Sequence, residues 1–396
     1  MTYSFGDKHT TPEVVPMSLR RLTWAIWLAL LLPPVARADE SWVGLEVLKA
    51  KPKVLADRDG DKQVYFELKG SLLPVIKDKG GRLRVRDYSG SEGWADKADF
   101  VRLPDAPAYF TELIRQDRRN AWAWAARGIA WPPSEVDKAI ADFTEALRLD
   151  PNQAIVYWCR GGAWGTKREF DKAIRDYDEA IRRDPNCHVM GPARLFNARG
   201  NMWEAKREYD KAIRDYDEAI RHEPQYYLLF NHRGNAWLEK KEYDKAIRDY
   251  DECVRLGAKD VRLDRVDPSV FVNRGDAWRA KKEYARAIGD YDEATRLDPK
   301  YAMALTKKAN LLATCADDKL RDVARAEELV REVVKLRPAS PYNEELLGVI
   351  AAAQGKFDEA IRHQKRALED KHYSDRRGVE ARAKLTAYGE KRPYRE

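Results

Sequence analysis

Cysteine is scarce in this 396-residue chain: Cys159, Cys187, Cys253 and Cys315 are the only four, far apart and never in a CxxC pair. That spacing gives neither a disulfide framework nor a metal knuckle, so the thiols read as small apolar residues on helices. Histidine is almost as rare, and His188, His222, His232, His363 and His372 are scattered singles that assemble no ligand set. No GxSxG, HExxH, P-loop or GxGxxG occurs. No catalytic residue, cofactor or metal is therefore expected. Long apolar runs are missing after residue 32, so nothing downstream of the first segment is built to span a bilayer. Charge of one sign is never clustered. Charged residues make up 35% of the chain, but acids and bases alternate, which is unlike a nucleic-acid-binding surface.

What is present begins with a leader. Arg20-Arg21 precedes the apolar run LTWAIWLALLL (22–32), and Ala36-Arg37-Ala38 closes it. A basic start, a short apolar middle and an A-x-A end predict a signal peptide over 1–38, cleaved after Ala38, and hence an exported protein, periplasmic or secreted. The pattern also reads well from Met17. Removing residues 1–38 takes away four bases and two acids, and the formal charge falls from +7 to +5.

Residues 39–104 alternate in the manner of short strands. RLRVR (82–86) has the period of a half-buried strand, and LLPVI (72–76) reads as a more buried one. DRDGDK (57–62), KDKGG (77–81) and YSGSEGW (88–94) read as turn clusters. Short strands with tight turns predict a small antiparallel barrel. GWADKADFVRL (93–103) resembles the close of bacterial SH3-like domains, in which a Gly-Trp pair precedes the last strand. That resemblance implies a surface for cell-wall peptides or glycans, with Trp42, Tyr65, Tyr88 and Trp94 as its candidate residues.

From about residue 105 the pattern becomes helical and repeats itself. RG-x-x-W occurs at Arg160/Trp164, Arg199/Trp203, Arg233/Trp237 and Arg274/Trp278. Each glycine is followed at fixed offsets by an alanine, a tyrosine and a second small residue: Ala212, Tyr216 and Ala219 after Gly200, for instance. Prolines 185, 224 and 299 close three of the copies. These residues resemble the tetratricopeptide repeat, whose pairs of helices stack because no pair can bury its apolar face alone. The resemblance implies a mainly α, right-handed solenoid of about seven repeats over 105–374, with a C-terminal capping helix and tail over 375–396.

The phrase EYDKAIRDYDEAIR (208–221) recurs nearly unchanged at 169–182 and 242–252. On a helix, Tyr209, Ala212, Ile213, Tyr216, Ala219 and Ile220 form one apolar stripe. The tyrosine hydroxyl is expected near water. Asp215, Asp217 and Glu218 are expected on the outward side, in charge pairs four residues apart, Lys211 with Asp215 among them. The tryptophans of RG-x-x-W read as packing within the repeat.

The resemblance also assigns a concave groove to the first helix of each pair. Its positions here include Asn197, Asn201, Asn231, His232, Asn235, Asn273 and Asp276, which could hydrogen-bond an extended peptide. Arg160, Arg199, Arg233 and Arg274 could present a cationic row to an acidic partner. The same polar residues could instead serve helix polarity and bonding between repeats. Ile155, Trp158 and Leu228 stand at groove positions where a carboxylate clamp would need lysines, which favours a mixed apolar–polar peptide. The function implied is a non-enzymatic scaffold that binds a protein or peptide, with peptidoglycan or glycan binding through residues 39–104 as the alternative.

Overall fold

The computed structural model describes residues 46–49, 55–57, 65–67, 72–86, 91–186, 191–259, 266–338 and 340–395. The expected signal peptide and the candidate residues Trp42 and Tyr88 lie outside them, as does Cys187. Among the described residues there are seven strands and sixteen α-helices. Internal packing divides the chain into one unit ending at Glu223 and another beginning at Pro224.

The first unit opens with strands β1 (Glu46–Lys49), β2 (Leu55–Asp57), β3 (Tyr65–Glu67), β4 (Leu72–Lys79), β5 (Arg82–Arg86), β6 (Glu92–Asp96) and β7 (Phe100–Arg102). They form one antiparallel sheet in the order β3-β2-β6-β5-β4-β1-β7. The alternation of RLRVR sends Leu83 and Val85 inward, onto Val47, Leu73, Val75, Ala95 and Phe100. The lysines of KDKGG belong to a strand and not to a turn. β4 runs on to Lys79, and only Gly80-Gly81 turns the chain, with Gly80 at φ +63°. A bulge between Val75 and Lys77 keeps Lys77 and Lys79 on the solvent side. Gly93-Trp94 lies inside β6, and β7 follows as the last strand.

No linker separates sheet from helices. After β7 a single 3₁₀ turn leads into α1 (Ala106–Gln116), and Leu48 and Val101 of the sheet share a core with Phe110, Ile114, Ala123 and Ala126. Three helix pairs follow: α2 (Ala121–Ala130) with α3 (Val136–Leu149), α4 (Ala154–Thr166) with α5 (Phe170–Arg183), and α6 (Pro192–Ala205) with α7 (Tyr209–His222).

The second unit holds four more pairs: α8 (Tyr227–Glu239) with α9 (Tyr243–Gly257), α10 (Pro268–Ala280) with α11 (Tyr284–Leu297), α12 (Ala302–Thr314) with α13 (Val323–Leu336), and α14 (Pro341–Ala353) with α15 (Phe357–Glu369). A final helix, α16 (Lys371–Gly389), closes the chain.

In five of the pairs one glycine sets the spacing against an aromatic ring of the second helix. A Cβ on Gly200 would stand 2.7 Å from the Tyr216 ring, one on Gly234 2.8 Å from Tyr250, and one on Gly275 2.7 Å from Tyr291. These are closer than real Cβ atoms approach carbon, so the glycine is what lets each second-helix tyrosine bury completely. Ala212 and Ala219 are fully buried on either side of Tyr216, as the stripe predicts. The tryptophans are half-buried within their own pair, each roofed by a cation of the next helix. Lys172 lies 4.5 Å over Trp164, Lys211 4.2 Å over Trp203 and Lys245 4.3 Å over Trp237.

Candidate functional site

One aspartate of each copied phrase lies inward, and this corrects two expectations. Asp215 is buried, not outward, and it is not paired with Lys211. Arg199 on α6 grips it with two bonds, Nε to Oδ2 at 2.8 Å and Nη2 to Oδ1 at 2.5 Å. The same bidentate pair joins Arg127 to Asp142, Arg160 to Asp176, Arg233 to Asp249 and Arg274 to Asp290. The remaining guanidinium nitrogen of Arg199 reaches back to Asp178 of the preceding pair at 2.6 Å, and that of Arg274 reaches Asp251 at 2.7 Å. The expected cationic row is therefore neutralised within the stack, because an unpaired guanidinium this far inside would cost far more than a paired one. Burial pushes the Asp215 carboxyl above the usual range, against the pull of Arg199.

The first aspartate of the phrase also works between pairs. Asp171 accepts from Lys206 of the next pair at 2.6 Å, and Lys281 reaches Asp244 in the same way. Both acids of DYD and the acid of YDK are thus clamps between helices.

The tyrosine hydroxyl does not reach water. Tyr216 is fully buried, with its Oη 2.8 Å from Asn201 Oδ1 and 2.6 Å from Glu204 Oε2. Tyr250 donates to Asn235 Oδ1 at 2.8 Å, and Tyr291 to Asp276 Oδ1 at 2.7 Å. Burial pushes the Tyr216 phenol well up, so it stays a protonated donor.

These bonds locate the candidate groove residues. In the first unit, Asn197 and Asn201 are both buried, and Asn201 is held by Tyr216. In the second unit, Asn235 receives both Tyr250 and the Asn273 amide, 3.0 Å away. Asp276 receives Tyr291 and Lys307 Nζ at 2.7 Å, with Arg279 at 3.9 Å. Burial opposes the Asp276 charge, but Lys307 and Arg279 outweigh it and hold the carboxyl below its usual range. Buried His232 is driven down to about 4 by desolvation, so it is neutral at pH 7. Asn231 differs from these: it is half-exposed, and its enclosed Oδ1 meets no donor. Sequence reasoning missed Glu204, Lys307 and Arg279, none of which recurs at a fixed offset.

In the sheet, Trp94 is only 7% exposed and Lys79 stands 4.9 Å over its ring. Tyr65 pairs with Asp57 across β3 and β2. Cys159, Cys253 and Cys315 are buried thiols, and burial pushes Cys159 and Cys253 up to about 12, far from a reactive thiolate. Among the described residues no group of three potential metal ligands converges, and no helix is long and apolar enough to cross a membrane.

The model of the tetratricopeptide repeat matches residues 134–186, 204–261 and 315–375. A tetratricopeptide repeat protein from Parabacteroides merdae is similar in structure with a TM-score of 0.52, at 17% identity, over 71% of this chain and 98% of that one. Yeast Tom70 matches at 0.47 and 18%, over 72% of this chain and 58% of its own. The C-terminal part of a TPR repeat-containing protein from Cytophaga hutchinsonii matches at 0.45 and 17%, over 68% and 98%. At these identities the likeness concerns the fold. No curated protein matches the sequence.

Proposed function

We infer that this chain, which carries tetratricopeptide repeats, is a non-enzymatic scaffold that holds a protein or peptide against the first helices of its pairs. Proteins built from this repeat generally mediate protein–protein interactions. One observation carries the reading for this chain: the aspartates of the copied phrase are taken up by bonds to bases on other helices. An acid–base pair for chemistry would need a carboxylate held apart in a cleft, and the buried aspartates are each gripped by an arginine. What remains for recognition is the face of the first helices. On α8 that face is Leu228, Asn231, Asn235 and Leu238, at helical spacing and all half-buried. A neutral, mixed surface of this kind suits an extended peptide read through its main chain. The leader-like segment over residues 1–38 supports an interaction outside the cytoplasm.

The test is proximity labelling with the full chain and with an Asn231→Ala/Leu238→Ala variant. Neither side chain is among the fully buried, so the variant should keep the helical signal of the parent. Loss of specific labelled partners supports the groove. An unchanged partner set sinks it.

A further inference from the structure

The segment after α16 folds back onto the first helices of the second unit. The turn that ends α16 is the one that joins the two helices of a pair. Lys391 takes φ 53°, and the Arg392 N–H donates to Ala387 O at 2.9 Å, as that of Glu208 does to Trp203 O between α6 and α7. In the pairs this turn launches a second helix. Here residues 392–395 stay extended, and the main chain of Pro393, Tyr394 and Arg395 forms no backbone–backbone hydrogen bond with the described residues. Side chains hold them instead. Tyr394 is half-buried against the cluster of Ala351, Ala352, Ala360 and Tyr388, and Lys384 Nζ stands 5.1 Å over its ring. Arg395 reaches further, to α12, where its Nη1 donates to Ala313 O at 3.1 Å. That carbonyl lies in the last turn of α12, where the helix itself supplies no donor. The neighbouring Arg321 is already paired with Asp318. Both contacts fall at the C-terminal ends of first helices. Leu238 of α8, on the face assigned to the partner, holds the same place as Ala352 of α14: they follow Gly234 and Gly348 by four residues.

We propose that this tail is a tethered stand-in for the partner: an extended partner segment with an aromatic residue followed directly by arginine or lysine binds the ends of α12 and α14 by displacing Tyr394 and Arg395. The proposal rests on the groove reading above and adds the ligand's chemistry and its competitor. The alanines leave room for a ring, the Lys384 ammonium favours an aromatic one, and the free carbonyl end of α12 favours a cation beside it. The tail can leave because one half-buried ring and one exposed hydrogen bond, set against the ordering of four residues, favour the seated form only about tenfold. The tether keeps the tail at hand, so an incoming segment meets a seat that is mostly filled.

The test pans the full chain carrying Tyr394→Ser/Arg395→Ala against a displayed library of random dodecapeptides. Neither side chain is fully buried, so the variant should keep the helical signal of the parent. Fluorescence anisotropy then measures the recovered peptides on variant and parent. The recovered sequences should share an aromatic residue followed by arginine or lysine. They should bind the variant about tenfold more tightly than the parent, whose own tail competes. Replacing their aromatic residue by serine should abolish that difference. Peptides that bind variant and parent alike, or that share no aromatic–basic pair, overturn the tethered seat. If such peptides still lose binding to Asn231→Ala/Leu238→Ala, the groove reading survives and only the seat falls. A library that yields nothing above background overturns both.

Discussion

At the scale of single residues, the arginine–aspartate pairs decide the most. Asp215 is 4% exposed and fully engaged by Arg199, whereas the Asp178 side chain that completes the fork is 52% exposed. Asp215→Ala leaves a guanidinium inside without its partner and should cost about 3 kcal/mol. Asp178→Ala removes a screened contact and should cost under about 1 kcal/mol. Urea unfolding of the two variants, compared with the parent, measures both. A second residue-scale effect concerns His232. Its folded pKa of about 4 lies below the ordinary value near 6.5. The unfolded chain therefore takes up a proton that the folded one refuses. This contribution is fully present above pH 6.5 and declines as pH falls towards 4. The chain should lose about 2 kcal/mol from this group between pH 7 and pH 5, and His232→Gln should flatten that part of the stability profile.

At the scale of the helix pair, the sequence shows the frame and hides the wiring. The spacing of glycine, alanine and tyrosine was enough to place the helices, because a close crossing admits few residue types. The inward turn of Asp215 escaped a helical-wheel reading because it sits on the flank of the apolar stripe, beside Tyr216, where a charge alone looks solvated. One signal was available. The arginine before each spacing glycine has an aspartate sixteen residues later in four copies, at 160/176, 199/215, 233/249 and 274/290. A fixed separation of opposite charges across a hairpin is a contact, not two solvated faces. The groove asparagines were legible as polar residues on first helices. Their bonds to Tyr216 and Tyr250 were not, since the stripe alone does not fix where a buried hydroxyl finds its acceptor.

Two further predictions belong to the pair. The turn between its helices puts Arg168, Arg207, Lys241 and Lys282 at φ between 61° and 64°, the left-handed region that side chains disfavour. In the last pair Gly355 occupies that place, at φ 79°. Lys282→Gly should therefore stabilise the chain by roughly 0.5–1 kcal/mol, read as a shift in the denaturation midpoint. Gly200→Ala should act in the opposite direction. Its methyl group would meet the Tyr216 ring at 2.7 Å, and prying the helices apart should cost roughly 1–3 kcal/mol in the same assay.

At the scale of the whole molecule, a stack of pairs exposes an apolar side at each end and needs both ends closed. In the first unit the sheet closes one: Leu48 and Val101 are buried against α1 and α2. In the second unit α16 covers the last pair. Tyr373, Ala381 and Tyr388 are fully buried, with Tyr388 on Ala351, Ala352 and Ala360 and Tyr373 on Ala367 of the final pair. The helix also settles a buried charge. Glu345 of α14 accepts from Lys384 at 2.6 Å and has Arg377 at 3.3 Å, both on α16. Deleting residues 371–396 would expose Ala351 and Ala352 of α14 with Ala360 and Ala367 of α15, and strand that carboxylate at once. The deleted chain should lose hydrogen-exchange protection in α14 and α15 first and should aggregate on a sizing column, while α8 and α9 keep their protection. Adding Glu345→Leu to the deletion removes the stranded charge but not the exposed face. It should restore part of the protection in α14 without restoring a single sharp elution peak. If the deleted chain instead elutes as the parent does, with α14 and α15 fully protected, the helix is an appendage and the last pair is stable without it.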